Sequence, residues 1–234
     1  MPQVARARFE GFGPQTLDWF DGLEEDNSRA YFDATRHLWE EQVRDPFAAL
    51  LTELRVEFGG EVKLFRQYRD VRFSADKSPY KATTYGLLYD VPATAAGLYA
   101  EISGGGLYAG TGYHDMAKDQ LERYLVAVAD DEAGPALEEA VAKVEGEGLQ
   151  VAGEVLKTAP RGYPRDHPRV RFLRHKELIA GTALPSGPEL TSRAALDFVA
   201  ATWRAAQPIT TWLDRHVGDS TLTREERWGR RRPR

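Results

Sequence analysis

Apolar residues recur at helical spacing through the first sixty positions. Leu17, Phe20 and Leu23 mark one stripe, with Trp19 beside them. The polar run "EDNS" interrupts it, and Asn27 or Ser28 is the expected N-cap of a second helix reaching about Arg44. That helix carries Tyr31, Phe32, Leu38, Trp39 and Val43. A third restarts at "DPF", where Asp45 can cap and Pro46 suits the first helical position. Its stripe is Phe47, Leu50, Leu51 and Leu54, and Gly59-Gly60 ends it. The aromatic residues of these helices are expected in a core, not around a ligand.

At Val62 the period changes. "VKLFRQYRDVRF" loses the helical stripe and gains β-branched and aromatic residues, so at least part of it is expected as strand. "TTYGLLYDV", "AGLYAEIS" and "GLYAGTGYH" follow as three more strands, with "PATAAG" and "GGG" as turns, which predicts an antiparallel meander over 83–113. Helical period returns in "MAKDQLERYLVAVAD", then in an acidic helix over roughly 134–146. "LQVAGEVL" reads as a short strand, whereas the prolines and glycine of "KTAPRGYPRDHPR" forbid regular structure. "VRFLRHKELIAGTALP" predicts a helical turn and a strand, and the segment from Gly187 a long helix bent or broken near Pro208. The order predicts an α+β fold: a single domain over 9–217, an antiparallel meander packed with N-terminal, middle and C-terminal helices. Residues 218–234 are expected as a flexible basic tail.

Composition adds bounds. The chain has 234 residues, 42% hydrophobic and 29% charged, enough for one sizeable core. No apolar run nears the ~20 residues of a membrane helix, and "MPQVARARFEGFG" lacks the apolar centre of a secretory signal. With no cysteine there is no disulfide and no thiolate metal site, so the expected location is cytoplasmic.

Charge changes the picture more. Residues 66–81, "RQYRDVRFSADKSPYK", hold five cations and two carboxylates, net +3. Residues 157–176 carry +6 and 224–234 carry +4, so a whole-chain charge of −5 leaves −18 on the rest. Such segregation can create a field that attracts an anion to an acidic protein. If 65–73 is extended, Arg66, Tyr68, Asp70 and Arg72 face one side, while Arg69 shares the other with apolar residues and needs a partner. Arginine pairs bidentately with carboxylates and phosphates. Arg66, Arg69, Arg72, Lys77 and Lys81, with Arg161 and Arg165 from the second basic segment, are therefore the expected ligand-binding residues. Tyr80 and His167 are the candidate proton-handling groups. The competing reading is an internal Arg–Asp network anchored by Asp70 and Asp76.

Other motifs fall away. "SADK" matches Ser-x-x-Lys, but the Ser-Asp-Asn and Lys-Thr-Gly partners are missing. "GGGLYAGTG" lies between two strands, with no Gly-Lys-Ser/Thr after it, so it reads as a hairpin; Gly110 and Gly112 could still admit a ligand to the backbone. Five scattered histidines form no metal motif, although His114-Asp115 could meet Glu101 or Asp70 around a divalent ion. No metal site is assigned, and no cofactor is identified.

The segment "KLFRQYRDVRFSADKSPYK" resembles the family catalogued as domain of unknown function 2461. "FEGFGPQTLDWFDGLEEDNSRAYFDATR", "RDPF", "YAEISGGGLYAGTGYH" and "LKTAPRGYPRDHPRVRFLRHKEL" extend the resemblance from about Phe9 to about Trp212. It implies one globular domain. The family has no assigned activity, so no catalytic residue carries over, and the tail after about Gly218 lies outside the resemblance.

Three functions compete. The leading expectation is binding of a small, phosphate-bearing anion by the two basic segments, with an enzyme acting on that ligand as the stronger form. Nucleic-acid binding through the basic block and its aromatic residues is disfavoured by a pI of 5.6. A non-catalytic interaction module, with a purely structural Arg–Asp motif, is the third. No membrane partner is expected, and oligomeric state is not specified by the sequence.

Overall fold

The computed structural model describes residues 8–72, 74–223 and 226. The basic stretch from 224 on, apart from Glu226, and Phe73 lie outside the described residues. The fold is the expected α+β one, with a six-stranded sheet in the order β1-β2-β3-β4-β6-β5. The strands are β1 (Glu61–Leu64), β2 (Thr83–Tyr89), β3 (Gly97–Ser103), β4 (Gly106–Tyr113), β5 (Gln150–Ala152) and β6 (Leu178–Pro185). Two compact units emerge, one from Met1–Ala93, Leu98–Gly110 and Thr182–Trp203, the other from Thr94–Gly97, Thr111–Gly181 and Arg204–Arg234.

In the first unit, α1 (Thr16–Glu25), α2 (Arg29–Leu38), α3 (Asp45–Phe58) and α7 (Ala194–Ala205) supply the helical layer. Ser28 caps α2 as expected, its side chain accepting from the Tyr31 N–H. Asp45 does not cap. Residues Trp39–Arg44 wind as a π-helical turn, so α2 runs into α3 without a break, and the Asp45 carboxylate pairs with Arg44. The wider turn keeps Trp39 and Val43 in the core along with Phe47. Gly59 and Gly60 do end α3, at φ of 75° and 78°; a Cβ on Gly60 would lie 2.5 Å from the Tyr89 carbonyl oxygen.

β1, β2 and β3 pair antiparallel, with Lys63 opposite Leu87, Tyr85 opposite Glu101 and Leu87 opposite Tyr99. Alternation then sorts the faces. Thr84, Gly86 and Leu88 of β2 and Leu98, Ala100 and Ile102 of β3 are buried in the core that holds Trp19, Phe20, Leu50 and Leu51. Tyr85, Tyr99 and Glu101 share the opposite, half-buried face.

The second unit packs α4 (Lys118–Ala129), α5 (Ala133–Gly146), α6 (Val170–Leu173) and α8 (Gln207–His216) with β5 and the start of β6. The long C-terminal helix is broken at Ala206, and Pro208 lies in the first turn of α8. Residues 218–222, expected to begin a loose tail, are instead tied to α4. Gln120 donates to the Gly218 carbonyl, Arg123 to those of Val217 and Asp219, and Asp119 accepts from Ser220 and Thr221. The glycine run is a hairpin, and Gly112 serves strand packing. A Cβ there would lie 2.1 Å from the Leu178 carbonyl oxygen, which β6 places against β4.

Arg169, one of the cations of the 157–176 segment, is 7% exposed. Its guanidinium donates to the carbonyls of Val128, Ala129 and Asp130 at 2.6, 3.0 and 3.0 Å, closing the C-terminal end of α4. The Val128 and Ala129 carbonyls belong to the last turn of α4, where the helix leaves its acceptors unpaired, the Asp130 carbonyl also accepts from the Gly134 N–H at 3.1 Å, and a cation suits that end of the helix dipole. Gly134 makes the room, since a Cβ there would lie 2.2 Å from the Arg169 Nε. Arg169→Met should therefore destabilise the protein by about 3 kcal/mol, by stranding buried acceptors, while Arg161→Met on the exposed loop should change stability by less than about 0.5 kcal/mol. Urea midpoints at constant slope would check both.

Candidate functional site

The 66–81 segment is a ribbon rather than a strand. β1 ends at Leu64, and the chain continues beside residues 79–83 through an isolated Tyr68–Tyr80 bridge. Backbone bonds from Lys81 N to Gln67 O and from Arg69 N to Pro79 O, both 2.9 Å, hold the two sides together. The gaps in this ladder are filled by a side chain. Gln67 is 2% exposed; its amide donates to the Lys81 and Thr83 carbonyls at 2.6 and 3.1 Å and accepts from Thr84 Oγ1 at 2.9 Å. Thr84 in turn accepts from the Trp39 indole at 3.1 Å. Asn27, expected as an alternative cap, clamps the other side, donating to the Tyr80 carbonyl and accepting from its N–H at 3.2 and 3.0 Å.

The cations divide into two groups. Arg72 forms a two-point pair with Asp70, at 2.8 and 2.5 Å. Arg69, half-buried, finds the partner it required in Asp76 and also reaches the Ser78 carbonyl at 3.4 Å. Asp76 accepts from the Ser78 hydroxyl and N–H at 2.7 and 2.8 Å, which closes the tip of the ribbon. Lys77 and Lys81 meet backbone carbonyls, those of Val71 and Arg66, at 3.0 and 2.6 Å. Neither of them, nor the exposed Arg66, forms an ion pair with a carboxylate among the described residues. Arg69 and Arg72 thus belong to the internal Arg–Asp network that was the competing reading, and Arg66, Lys77 and Lys81 remain charged without a carboxylate partner.

Lys81 lies where the ribbon meets the sheet. Its ammonium is 4.4 Å from the centre of the Tyr85 ring and 5.9 Å from that of Phe65, and Lys63 is 4.7 Å from the same Phe65 ring. Phe65, Tyr85, Tyr99 and Tyr108 form a row, with neighbouring centres 4.7, 5.8 and 6.3 Å apart. This shelf was not recognised from the sequence. The signal was the alternation of tyrosines with small or apolar residues in three successive strands, which reads as ordinary strand propensity until register aligns the rings.

The two candidate proton-handling residues have unlike surroundings. Tyr80 is 1% exposed and stacked on Phe32 at 4.1 Å. Burial, then the neighbouring Tyr68 hydroxyl, push its phenol up to about 12. That is the environment of a packing residue, and a poor one for moving protons at neutral pH. Tyr68, more exposed, is held below the ordinary range by the Tyr80 hydroxyl and by Arg36, whose guanidinium is 3.4 Å from it. In the second unit, His167 accepts from the Arg169 N–H through Nδ1 at 3.1 Å, a local loop bond. Arg161 and Arg165 are exposed in the same loop, whereas Arg174 donates to the Leu156 carbonyl and Lys176 pairs with Glu154.

The second unit also holds the only three-residue metal-ligand group recorded among the described residues. His114 Nε2 is 3.4 Å from Glu177 Oε2, and its Nδ1 is 3.5 Å from Asp115 Oδ2. The partner is Glu177, not Glu101 or Asp70: Glu101 accepts from the Tyr99 hydroxyl and Asp70 is occupied by Arg72. A shallow groove of about 500 Å³ between α4, α5 and α8 is lined by groups of both signs, among them Glu122, Arg123, Asp130 and His216, and contains none of the expected site residues.

The family model described as "Conserved hypothetical protein (DUF2461)" matches residues 15–212. The chain belongs to that family. The match runs from the start of α1 into α8 and includes the ribbon and the shelf. No curated protein matches the chain.

The ribbon's pairs set an acid limit. Arg72, through its side chain and then its backbone N–H, holds Asp70 down to about 2, and the Ser78 hydroxyl and N–H, followed by Arg69, hold Asp76 below the usual carboxylate range. Both carboxyls titrate lower folded than unfolded, so their contribution is complete above about pH 4 and is lost as pH falls toward 2. Carboxyl carbon shifts followed by NMR should show Asp70 still ionised at pH 3; a midpoint near 4 would show that the pair does not form.

Proposed function

We propose that this protein binds a small phosphate-bearing anion at the base of the 66–81 ribbon. The observation that carries this reading is Lys81, whose ammonium spends one donor on the Arg66 carbonyl, lies against two aromatic rings and has no carboxylate partner among the described residues. An ammonium has three donors, so others remain for an oxyanion. Arg66 follows Phe65 in the chain, and Lys63 approaches the same Phe65 ring from β1. Two ammonium groups drawn to one ring repel each other unless an anion lies between them. Arg69 and Arg72 contribute by rigidity: with both guanidiniums tied to Asp76 and Asp70, the ribbon needs little ordering when a ligand arrives.

Binding is the function this arrangement supports best. Tyr80 is too buried to act on a ligand, so a catalytic form of the reading has to draw its proton-handling group from elsewhere. Among the described residues no helix is long and apolar enough to cross a membrane. A cytoplasmic setting fits a chain that has no cysteine to oxidise.

Pyrophosphate at a hundredfold its dissociation constant should raise the melting temperature by about 5–10 °C. The double variant Arg66→Ala/Lys81→Ala should abolish that shift, while Lys157→Ala, in the other basic segment, should retain it. Equal shifts in wild type and the double variant would refute the reading.

A further inference from the structure

The row of rings beside Lys81 has a composition that a simple anion does not require. Tyr85 and Tyr99 stand on the face of the sheet opposite the core residues Leu88, Leu98 and Ala100, and Tyr108 continues the row on β4. All three are only partly buried. Lysines cover one end, with Lys63 and Lys81 against Phe65 and Tyr85. The other end, Tyr99 and Tyr108, has no cation over it among the described residues. Between the ends is one carboxylate, Glu101, directly opposite Tyr85 in register and accepting the Tyr99 hydroxyl at 2.5 Å.

We infer that the anion is a nucleoside phosphate, with its phosphate between Lys63 and Lys81 and its base on Tyr99 and Tyr108. This rests on the anion reading above and adds the identity of the rest of the ligand. Bases stack on aromatic side chains whatever their sequence, since each has a π face. One ring step of 5.8 Å separates the lysine-covered Tyr85 from the half-buried Tyr99, which no cation covers among the described residues. A ligand with a charged end and a flat end, joined by a short linker, matches that polarity. Glu101 refines the choice. An ionised carboxylate only accepts hydrogen bonds, so it favours a base that offers adjacent N–H donors, as guanine does, over uracil, whose single ring N–H lies between two carbonyls. The same carboxylate argues for a mononucleotide over a nucleic-acid strand. A strand needs cations along the whole row of stacked bases, and here they are confined to one end, with a negative charge in the middle.

Isothermal titration of GMP, UMP, ribose 5-phosphate and pyrophosphate into the full chain would test this. GMP should bind at least about tenfold more tightly than ribose 5-phosphate, the worth of one stacked base. Tyr108→Leu should remove that advantage and leave pyrophosphate binding unchanged. Glu101→Gln, a near-isosteric change, should shrink the preference for GMP over UMP, which gives a second readout should the Tyr108 variant fold poorly. If pyrophosphate binds but GMP is no tighter than ribose 5-phosphate, or if neither variant alters nucleotide binding, the shelf inference is overturned and the anion reading stands. Failure of every phosphate compound to bind overturns both. A ten-nucleotide single strand binding more tightly than GMP would also overturn the inference, by making the row a strand surface.

Discussion

The buried side chain of Gln67 holds the candidate site in place. A ribbon as charged as residues 66–81 has little apolar surface of its own with which to join a core. It is fastened instead by hydrogen bonds, through Gln67 to the Lys81 and Thr83 carbonyls and on through Thr84 to the Trp39 indole. Each group in that chain has its partner, so burying it costs little, whereas removing one member would strand the others in a low-dielectric interior. Asn27 repeats the device at Tyr80. Between these two anchors the aromatic stack of Phe32, Tyr68 and Tyr80 supplies the apolar contact the charged residues cannot.

That fastening explains the division of the cations. Where the ribbon turns away from the sheet, its own carboxylates are close in sequence and neutralise Arg69 and Arg72. Where it meets the sheet Lys81 forms no ion pair with a carboxylate among the described residues, and the ammonium is stabilised by a carbonyl and by ring faces. A scaffold and a candidate binding surface are thus made from one short segment. The second basic segment behaves differently: Arg169 is spent inside the second unit on helix-end carbonyls, so a count of charges along the sequence overstates what that loop presents to solvent.

Much of the architecture was legible because it depends on local patterns. The helical stripe Leu17–Phe20–Leu23, the Ser28 cap, the Gly59-Gly60 stop and the three-strand meander each follow from short-range chemistry. The departures have physical causes as well. Asp45 has the residue type of a cap but lies inside a continuous helix, because a π turn keeps the core residues in phase. The glycine run is the expected hairpin, and the space a ligand could have used at Gly112 is taken by the Leu178 carbonyl of β6. Tyr80, chosen for its chemistry, is the ring that Phe32 stacks on. At Gly112 and Tyr80 a contact distant in sequence outweighed the local signal.

The sequence by itself determined the element types, the family and the concentration of charge in 66–81, because periodicity, turn chemistry and charge count are properties of neighbouring residues. Only the tertiary structure decided which of those charges are already neutralised, and that Phe65, Tyr85, Tyr99 and Tyr108 form one row. Pairing and alignment are set by strand register and by the path of the ribbon, and register is fixed by the burial of one sheet face against residues from distant parts of the chain.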